Sequence, residues 1–241
     1  MRDVYTYWVG KQFVLIKLLR KLMKLHSNNG KAYKFHVINK TNISKYVGTL
    51  PSNFYDLRPA HQADYVRVSV ICDKGGIWID SDTLIMDNLA SLFKLLKTGD
   101  GFFVLENNKG LCNGVFGSKA NTPFMKEWKS RISSVLESDK SKLDWTQLGS
   151  TILADIKKTM PHFIKDYTIL NGLDTVYSVN WPVAVQEFIE KPYDNYKNIE
   201  RPFQPLIVLV HSVYETLEPM TEKQIVNGFL PLSYFIRKSM G

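Results

Sequence analysis

Residues 4–38 confine the chain more tightly than any other stretch. Val4–Val9 is apolar and aromatic-rich and reads as a strand that ends at Gly10. Leu15, Leu18, Leu22 and Leu25 then recur at spacings of three and four, the period of a helix with one buried stripe. Lys34–Ile38 alternates polar and apolar residues and reads as a second strand. Strand, helix and strand in so short a length make a crossover, which parallel strands require. The alternation continues. Ala60–Lys74 reads as a helix, Ile77–Asp80 as a short buried strand and Ser91–Leu96 as a helical turn. Gly101–Leu105 and Gly114–Gly117 read as strands, Pro123–Leu136 and Trp145–Met160 as helices, and Tyr167–Leu170 and Leu206–Val210 as late strands. This order predicts an α/β fold, a single mostly parallel sheet flanked by helices. No repeat or low-complexity linker divides the 241 residues, so one domain is expected over 1–241. Residues 212–241 are its C-terminal tail, and Phe229–Ile236 within it must pack on something apolar.

Composition excludes several classes. A chain with 44% hydrophobic residues is not intrinsically disordered. Two cysteines, Cys72 and Cys112, make no disulfide scaffold and have no paired-cysteine metal spacing, which suits a cytoplasmic location. The apolar runs Phe13–Ile16 and Leu206–Val210 are far shorter than the roughly 20 residues of a membrane span. No leader is expected before the first strand. The balance of 31 basic and 23 acidic residues gives +8, with 24 Lys against 7 Arg. These cations are dispersed, whereas a nucleic-acid module clusters them among exposed aromatics; no nucleic-acid partner is expected. The densest stretch is Lys11–His26, where Lys17, Lys21 and Lys24 lie off the leucine stripe. It reads first as the crossover helix. Its second reading is a peripheral contact with an anionic membrane, where each cation adds about 1 kcal/mol.

The chemistry concentrates in Ala60–Met86. Asp64 and Arg67 stand three residues apart on one helix face. Gly75 and Gly76 end that helix, and a short apolar strand delivers Asp80-Ser81-Asp82. On a strand, Asp80 and Asp82 point to the same side and repel each other unless a cation sits with them. Oxygen ligands suit a hard divalent ion, Mg²⁺ or Mn²⁺. Open α/β sheets bind ligands at the carboxyl ends of their strands.

The run from Ala63 through Asp64, Arg67, Cys72, Gly75, Gly76 and Trp78 to Asp80-Ser81-Asp82 resembles the sugar-binding region of glycosyltransferase family 32. That group includes initiating mannosyltransferases and capsular polysaccharide transferases, and it is distantly similar to the glucosylating domains of clostridial toxins. Fainter similarity extends to Tyr7-Trp8-Val9-Gly10, Leu111-Cys112-Asn113-Gly114 and Val210-His211. The resemblance implies a GT-A fold and a retaining transfer from a UDP- or GDP-sugar to a glycan or other hydroxyl acceptor. It implies catalytic roles for Asp80, Asp82 and Arg67, and a metal held by Asp80, Asp82 and His211. It implies donor contacts from Trp8, Val9, Asp64, Arg67, Asp80, Ser81 and Asn113. The family usually has Tyr at the position of Trp78, whose hydroxyl contact is then lost here, and a Trp shortly after its late His. Leu148-Gly149-Ser150 loosely matches the family's glycine-led helix start.

Two rival functions use the same residues. Asp80-Ser81-Asp82-Thr83 superficially resembles the aspartate motif of haloacid dehalogenase-type phosphohydrolases, although Thr83 follows the second Asp at once. A catalytically silent carbohydrate-binding relative is the other.

Overall fold

The computed structural model describes residues 2–28, 30–106, 110–138 and 143–241. Its first unit is the crossover: β1 (Asp3–Tyr7), α1 (Val14–His26) and β2 (Lys34–Ile38), the two strands parallel. β1 stops at Tyr7 rather than Val9. The Trp8 indole N–H donates to the Lys11 carbonyl at 3.0 Å, and Gly10 takes φ +88°, so the chain turns out of the sheet there. α1 buries Leu15, Ile16, Leu18, Leu19, Leu22 and Met23. Leu25 of the expected stripe is instead 56% exposed at the helix's last turn.

α2 (Pro59–Lys74) leads into β3 (Gly76–Ile79), which pairs parallel with β1. The two glycines between them are required by their surroundings. Gly75 has φ +69°, and a Cβ on it would lie 2.8 Å from the Ala120 nitrogen. Gly76 has φ +115°, and a Cβ there would lie 2.7 Å from the Asp3 carbonyl oxygen. The helix therefore runs into the sheet with no spacer.

β4 (Thr83–Ile85), α3 (Ala90–Thr98), β5 (Gly101–Glu106), β6 (Gly110–Ser118) and α4 (Pro123–Glu137) follow. α5 (Ile152–Thr159), β7 (Tyr167–Asn171), β8 (Val176–Ser178), α6 (Trp181–Val185), α7 (Tyr196–Ile199) and β9 (Leu206–Val208) come next. The main sheet has the order β2-β1-β3-β6-β5-β7. β6 runs antiparallel to both β3 and β5, and the other three pairings are parallel. Trp145–Met160 is not one helix. A π-turn over Gln147–Thr151 breaks at Gly149 (φ −97°, ψ −107°) before α5 begins.

Beside the main sheet lies a second sheet, β4-β9-β8, outside the single sheet read from sequence. Its strands have three residues each, and it is apolar on both faces. Ile85, Val176, Leu206 and Val208 pack with Ile77, Ile79 and Phe102 of the main sheet. Leu84, Tyr177 and Ile207 pack the other way, onto α1 and the C-terminal helices. A strand buried on both faces shows no alternation, so sequence periodicity cannot find it.

The chain from residue 211 is helical: α8 (His211–Thr216), α9 (Glu222–Asn227) and α10 (Pro231–Met240). Val213, Leu217, Ile225, Leu232, Phe235 and Ile236 bury themselves against α1 and the second sheet. Phe229 itself stays 84% exposed. The opposite face of the main sheet is covered by α2, α4 and α5 around Trp78, Phe103, Phe116 and Trp128.

Candidate active site

The chain leaves the main sheet at Ile79 and enters the second sheet at Thr83, and the residues between are Asp80-Ser81-Asp82. They form a turn rather than a strand end, with the Thr83 N–H donating to the Asp80 carbonyl at 3.1 Å. Each residue of the turn is tied to a different element. The Asp80 N–H donates to the Gly114 carbonyl of β6 at 2.8 Å. The buried Ser81 hydroxyl bonds Thr6 Oγ1 at 2.7 Å and donates to the Tyr7 carbonyl of β1 at 3.2 Å. The Asp82 carbonyl accepts the Leu209 N–H, just beyond β9, at 2.9 Å. Three strands from two sheets thus fix the turn's backbone, and the Ser81 side chain is spent on that anchoring.

Below Asp80 is a buried charge network. Arg67 and Asp64, one helical turn apart on α2, are 5% and 4% exposed. Arg67 Nη1 donates to the Asn113 carbonyl at 2.8 Å and lies 3.4 Å from Asp64 Oδ1. Its Nη2 lies 3.2 Å from Asp80 Oδ1. Burial alone would lower the pKa of this guanidinium, but Asp80 and Asp64 outweigh burial and raise it. Asn113 Nδ2 donates to Asp64 Oδ1 at 2.9 Å. Burial nonetheless pushes the Asp64 carboxyl up to about 7, against the opposing pull of Arg67.

Trp78 completes the floor. Its indole N–H donates to Asp80 Oδ1 at 2.7 Å, so this position still supplies a donor although the family's tyrosine hydroxyl is absent. The Arg67 guanidinium also stacks over its ring, 5.5 Å from the centroid. Two glycines make room. A Cβ at Gly114 would sit 2.9 Å from Asp80 Oδ2, and one at Gly149 would sit 2.1 Å from Asn113 Nδ2 and 3.0 Å from Asp64 Oδ1. Gly149 was legible only as a helix start; its contact is made by the π-turn folding back over the network.

Asp82 differs from Asp80. Its carboxylate has no side-chain partner among the described residues, and its own backbone N–H is the one donor that favours its charge. Burial first, and then the Asp80 charge, raise its pKa well above the ordinary carboxylate range. The half-buried Trp8 and the buried Tyr214 of α8 stand nearby, their rings 5.5 Å apart. Burial, followed by the charges of Asp82, Glu215 and Asp80, raises the Tyr214 hydroxyl's pKa. Sequence reasoning missed Tyr214; its one signal is the i,i+3 spacing from His211. Val9 packs onto the core under α2. His211 does not end a strand. It opens α8, half its side chain is exposed, and its Nε2 lies 2.8 Å from Glu215 Oε1.

The donor set decides whether a divalent cation suits this turn. Among the described residues no three His, Cys, Asp or Glu side chains converge into a metal-binding group, so His211 is not gathered with the aspartates. Two half-buried carboxylates remain, and desolvation raises the pKa of both, with the Asp80 charge adding to the rise at Asp82. Mg²⁺ and Mn²⁺ are commonly held by one or two carboxylates, with water and phosphate oxygens filling the other positions. The residues fit a cation shared with a phosphorylated ligand, and they do not fit a closed protein cage.

Residues 3–197 match the family of capsular polysaccharide synthesis proteins. The chain belongs to that family. Among curated proteins none matches it in sequence. A solved glycosyltransferase involved in glycosylation of the major capsid of PBCV-1 is similar at 12% identity, covering 90% of this chain and 98% of that one, with a TM-score of 0.53. The apo form of the glycosyltransferase GlyE of Streptococcus pneumoniae TIGR4 is similar at 14% identity, covering all of this chain and 60% of that one, with a TM-score of 0.51. These likenesses establish the fold, which is the GT-A glycosyltransferase fold. The chain is thus a capsular polysaccharide synthesis family member whose fold is shared with solved glycosyltransferases. No described helix is long and apolar enough to cross a membrane.

Proposed function

We propose that this enzyme transfers a sugar from a UDP- or GDP-sugar to a hydroxyl group of a glycan, with retention of anomeric configuration, using Mn²⁺ or Mg²⁺. The observation that carries the reading is the Asp80-Ser81-Asp82 turn: its backbone is fixed by three strands, Arg67 holds one carboxylate, and the other has no side-chain partner. A divalent ion bound there would supply Lewis-acid stabilisation of the charge that develops on the departing diphosphate, worth several kcal/mol.

The chain's own residues then divide the work. Asp82 would hold the ion and Asp80 would share it, while Trp78 and Arg67 fix the Asp80 carboxylate. Arg67 is a positioning residue, because its two terminal nitrogens are committed to Asn113, Asp64 and Asp80. Asp64 and Asn113 face the sugar as one hydrogen-bonded unit. Trp8 flanks the nucleoside, with Val9 beneath it and Tyr214 beside the carboxylates. Ser81 serves by anchoring the turn. The positive surface collects the anionic donor, and the active face opens to the cytoplasm.

The test is sugar release or transfer from a panel of labelled nucleotide sugars with Mn²⁺. We expect turnover with one nucleotide class, its loss in EDTA, and a drop of about a thousandfold in Asp82→Ala. Unchanged turnover in Asp82→Ala overturns the assignment. Rapid hydrolysis of a simple phosphate ester without any nucleotide sugar would make the site a phosphohydrolase instead.

A further inference from the structure

A second charged feature lies between α1 and β2 and meets this crevice where Arg20 stacks on Trp8. A groove of about 680 Å³ runs between α1 and the edge strand β2. Lys17, Arg20, Lys21 and Lys24 line it from the helix, Lys34 from the strand, and Phe35 and Val37 give it an apolar lining. None of the residues lining it belongs to the Asp80–Asp82 crevice. Its size falls within the range of roughly 300–1,000 Å³ usual for small-molecule sites.

Charge in the groove is unbalanced. Lys21 pairs with Glu222 at 2.7 Å, and His36, at the groove's edge, is held by Asp3 at 2.8 Å and Tyr46 at 3.3 Å. Among the described residues Lys17, Lys24, Lys34 and Arg20 have no acidic partner. Arg20 is the informative one. Its Nε and Nη2 N–H groups are buried and donate to no partner among the described residues, while its guanidinium stacks over Trp8 at 5.7 Å. An aromatic face attracts a cation but offers no acceptor oxygen for two buried N–H groups. Guanidinium N–H groups buried without acceptors are costly, and Arg cannot shed its proton to escape the cost.

We propose that the α1–β2 groove is a second ligand site, which takes a phosphate-bearing ligand with a phosphoryl group on Arg20. Phosphate offers the doubly charged, multi-oxygen partner that matches a guanidinium fork, and the three free lysines add point charges around it. Phe35 and Val37 accept the apolar or organic part of the same ligand. The phosphoryl group belongs either to a soluble phosphate ester or to a lipid headgroup at a membrane surface. The site borders the donor crevice, because Arg20 stacks on Trp8, but it needs neither Asp80 nor a metal ion.

Calorimetry with inorganic pyrophosphate, in EDTA so that no metal recruits it to the aspartates, tests the inference. A parallel arm sediments the protein with phosphatidylglycerol vesicles, with phosphatidylcholine vesicles as the control. We expect binding that weakens with added salt, is unchanged in Asp82→Asn, and falls about tenfold or more in Arg20→Gln and in the surface variant Lys17→Glu/Lys24→Glu. Unfolding temperature serves as the folding control, and the double lysine variant, being on the surface, keeps the test alive if Arg20→Gln fails to fold. Pyrophosphate binding alone identifies a soluble phosphate ester as the source. Phosphatidylglycerol binding that depends on the same residues identifies a headgroup. No binding in either arm, or binding indifferent to the lysine variant, overturns the proposal.

Discussion

The floor and the rim of the crevice are built on opposite terms. On the floor every charge has partners in the protein: Arg67 meets Asp64, Asp80 and the Asn113 carbonyl, and Trp78 secures Asp80 from the side. On the rim Asp82 has its own backbone N–H and no side chain to meet it, and His211 turns to Glu215. The buried floor network is held by its paired charges, although Arg67 Nε lacks an acceptor among the described residues, whereas the Asp82 carboxylate, with no hydrogen-bonded side chain, is free to draw its compensation from a ligand. The floor therefore acts as scaffold and the rim as the binding element. Substitutions should separate the two, with stability lost below and function lost above.

The largest expected effect on stability is at Arg67. Arg67→Met leaves Asp64 and Asp80 without their cation, and denaturant unfolding should show a loss of about 3–5 kcal/mol. Asp82→Asn should leave stability unchanged or slightly improved, because it removes a charge that burial disfavours. Equal destabilisation of the two variants would erase the distinction between floor and rim.

Gly149→Ala comes next. The added methyl collides with Asn113 Nδ2, so either the π-turn or the Asp64–Asn113 hydrogen bond must yield. Such overpacking costs about 1–3 kcal/mol. A crystal structure of this variant with Asn113 undisturbed would show that the π-turn, and not the network, is the compliant part.

Asp64 gives the floor a pH signature. Its carboxyl titrates near 7 in the folded state and near 3.9 when unfolded. Between these values the folded chain holds the proton more tightly, so this contribution is complete below about pH 4 and is lost as pH rises towards 7. Asp64→Asn should flatten that fall, as measured by denaturation at several pH values. A wild-type slope of the opposite sign would mean that the ion pair with Arg67 outweighs burial.

The smallest effect is expected at His211. Its ion pair with Glu215 is exposed and worth at most about 1 kcal/mol. His211→Ala should leave the metal concentration for half-maximal turnover unchanged. A marked rise in that concentration would extend the rim to α8 and restore the histidine as a ligand.

Much of this was legible in the sequence, for identifiable reasons. Lys34–Ile38 alternates visibly and forms β2 at the expected residues. The glycines at 75 and 76 fix where α2 ends, and the aspartates that follow are found at the expected place. What escaped is tertiary. Leu206–Val210 reads as a strand and supplies β9, but β4 and β8 are too short and too fully buried to show a period, so the turn read as the end of one strand is the bridge between two sheets. Tyr214 and Gly149 reach the site only through the packing of α8 and the π-turn, which local spacing does not encode. The residues from 211 onwards carry their signal in caps rather than in long stripes, as in the reciprocal Thr221–Gln224 capping box of α9.

Manganese binding by electron paramagnetic resonance, with and without UDP or GDP, addresses the central point most directly. Two aspartates without a third protein ligand should bind Mn²⁺ weakly alone and much more tightly once a nucleoside diphosphate is added, and Asp82→Asn should abolish that gain. Nucleotide-dependent Mn²⁺ binding that survives in Asp82→Asn would place the ion elsewhere and contradict the account.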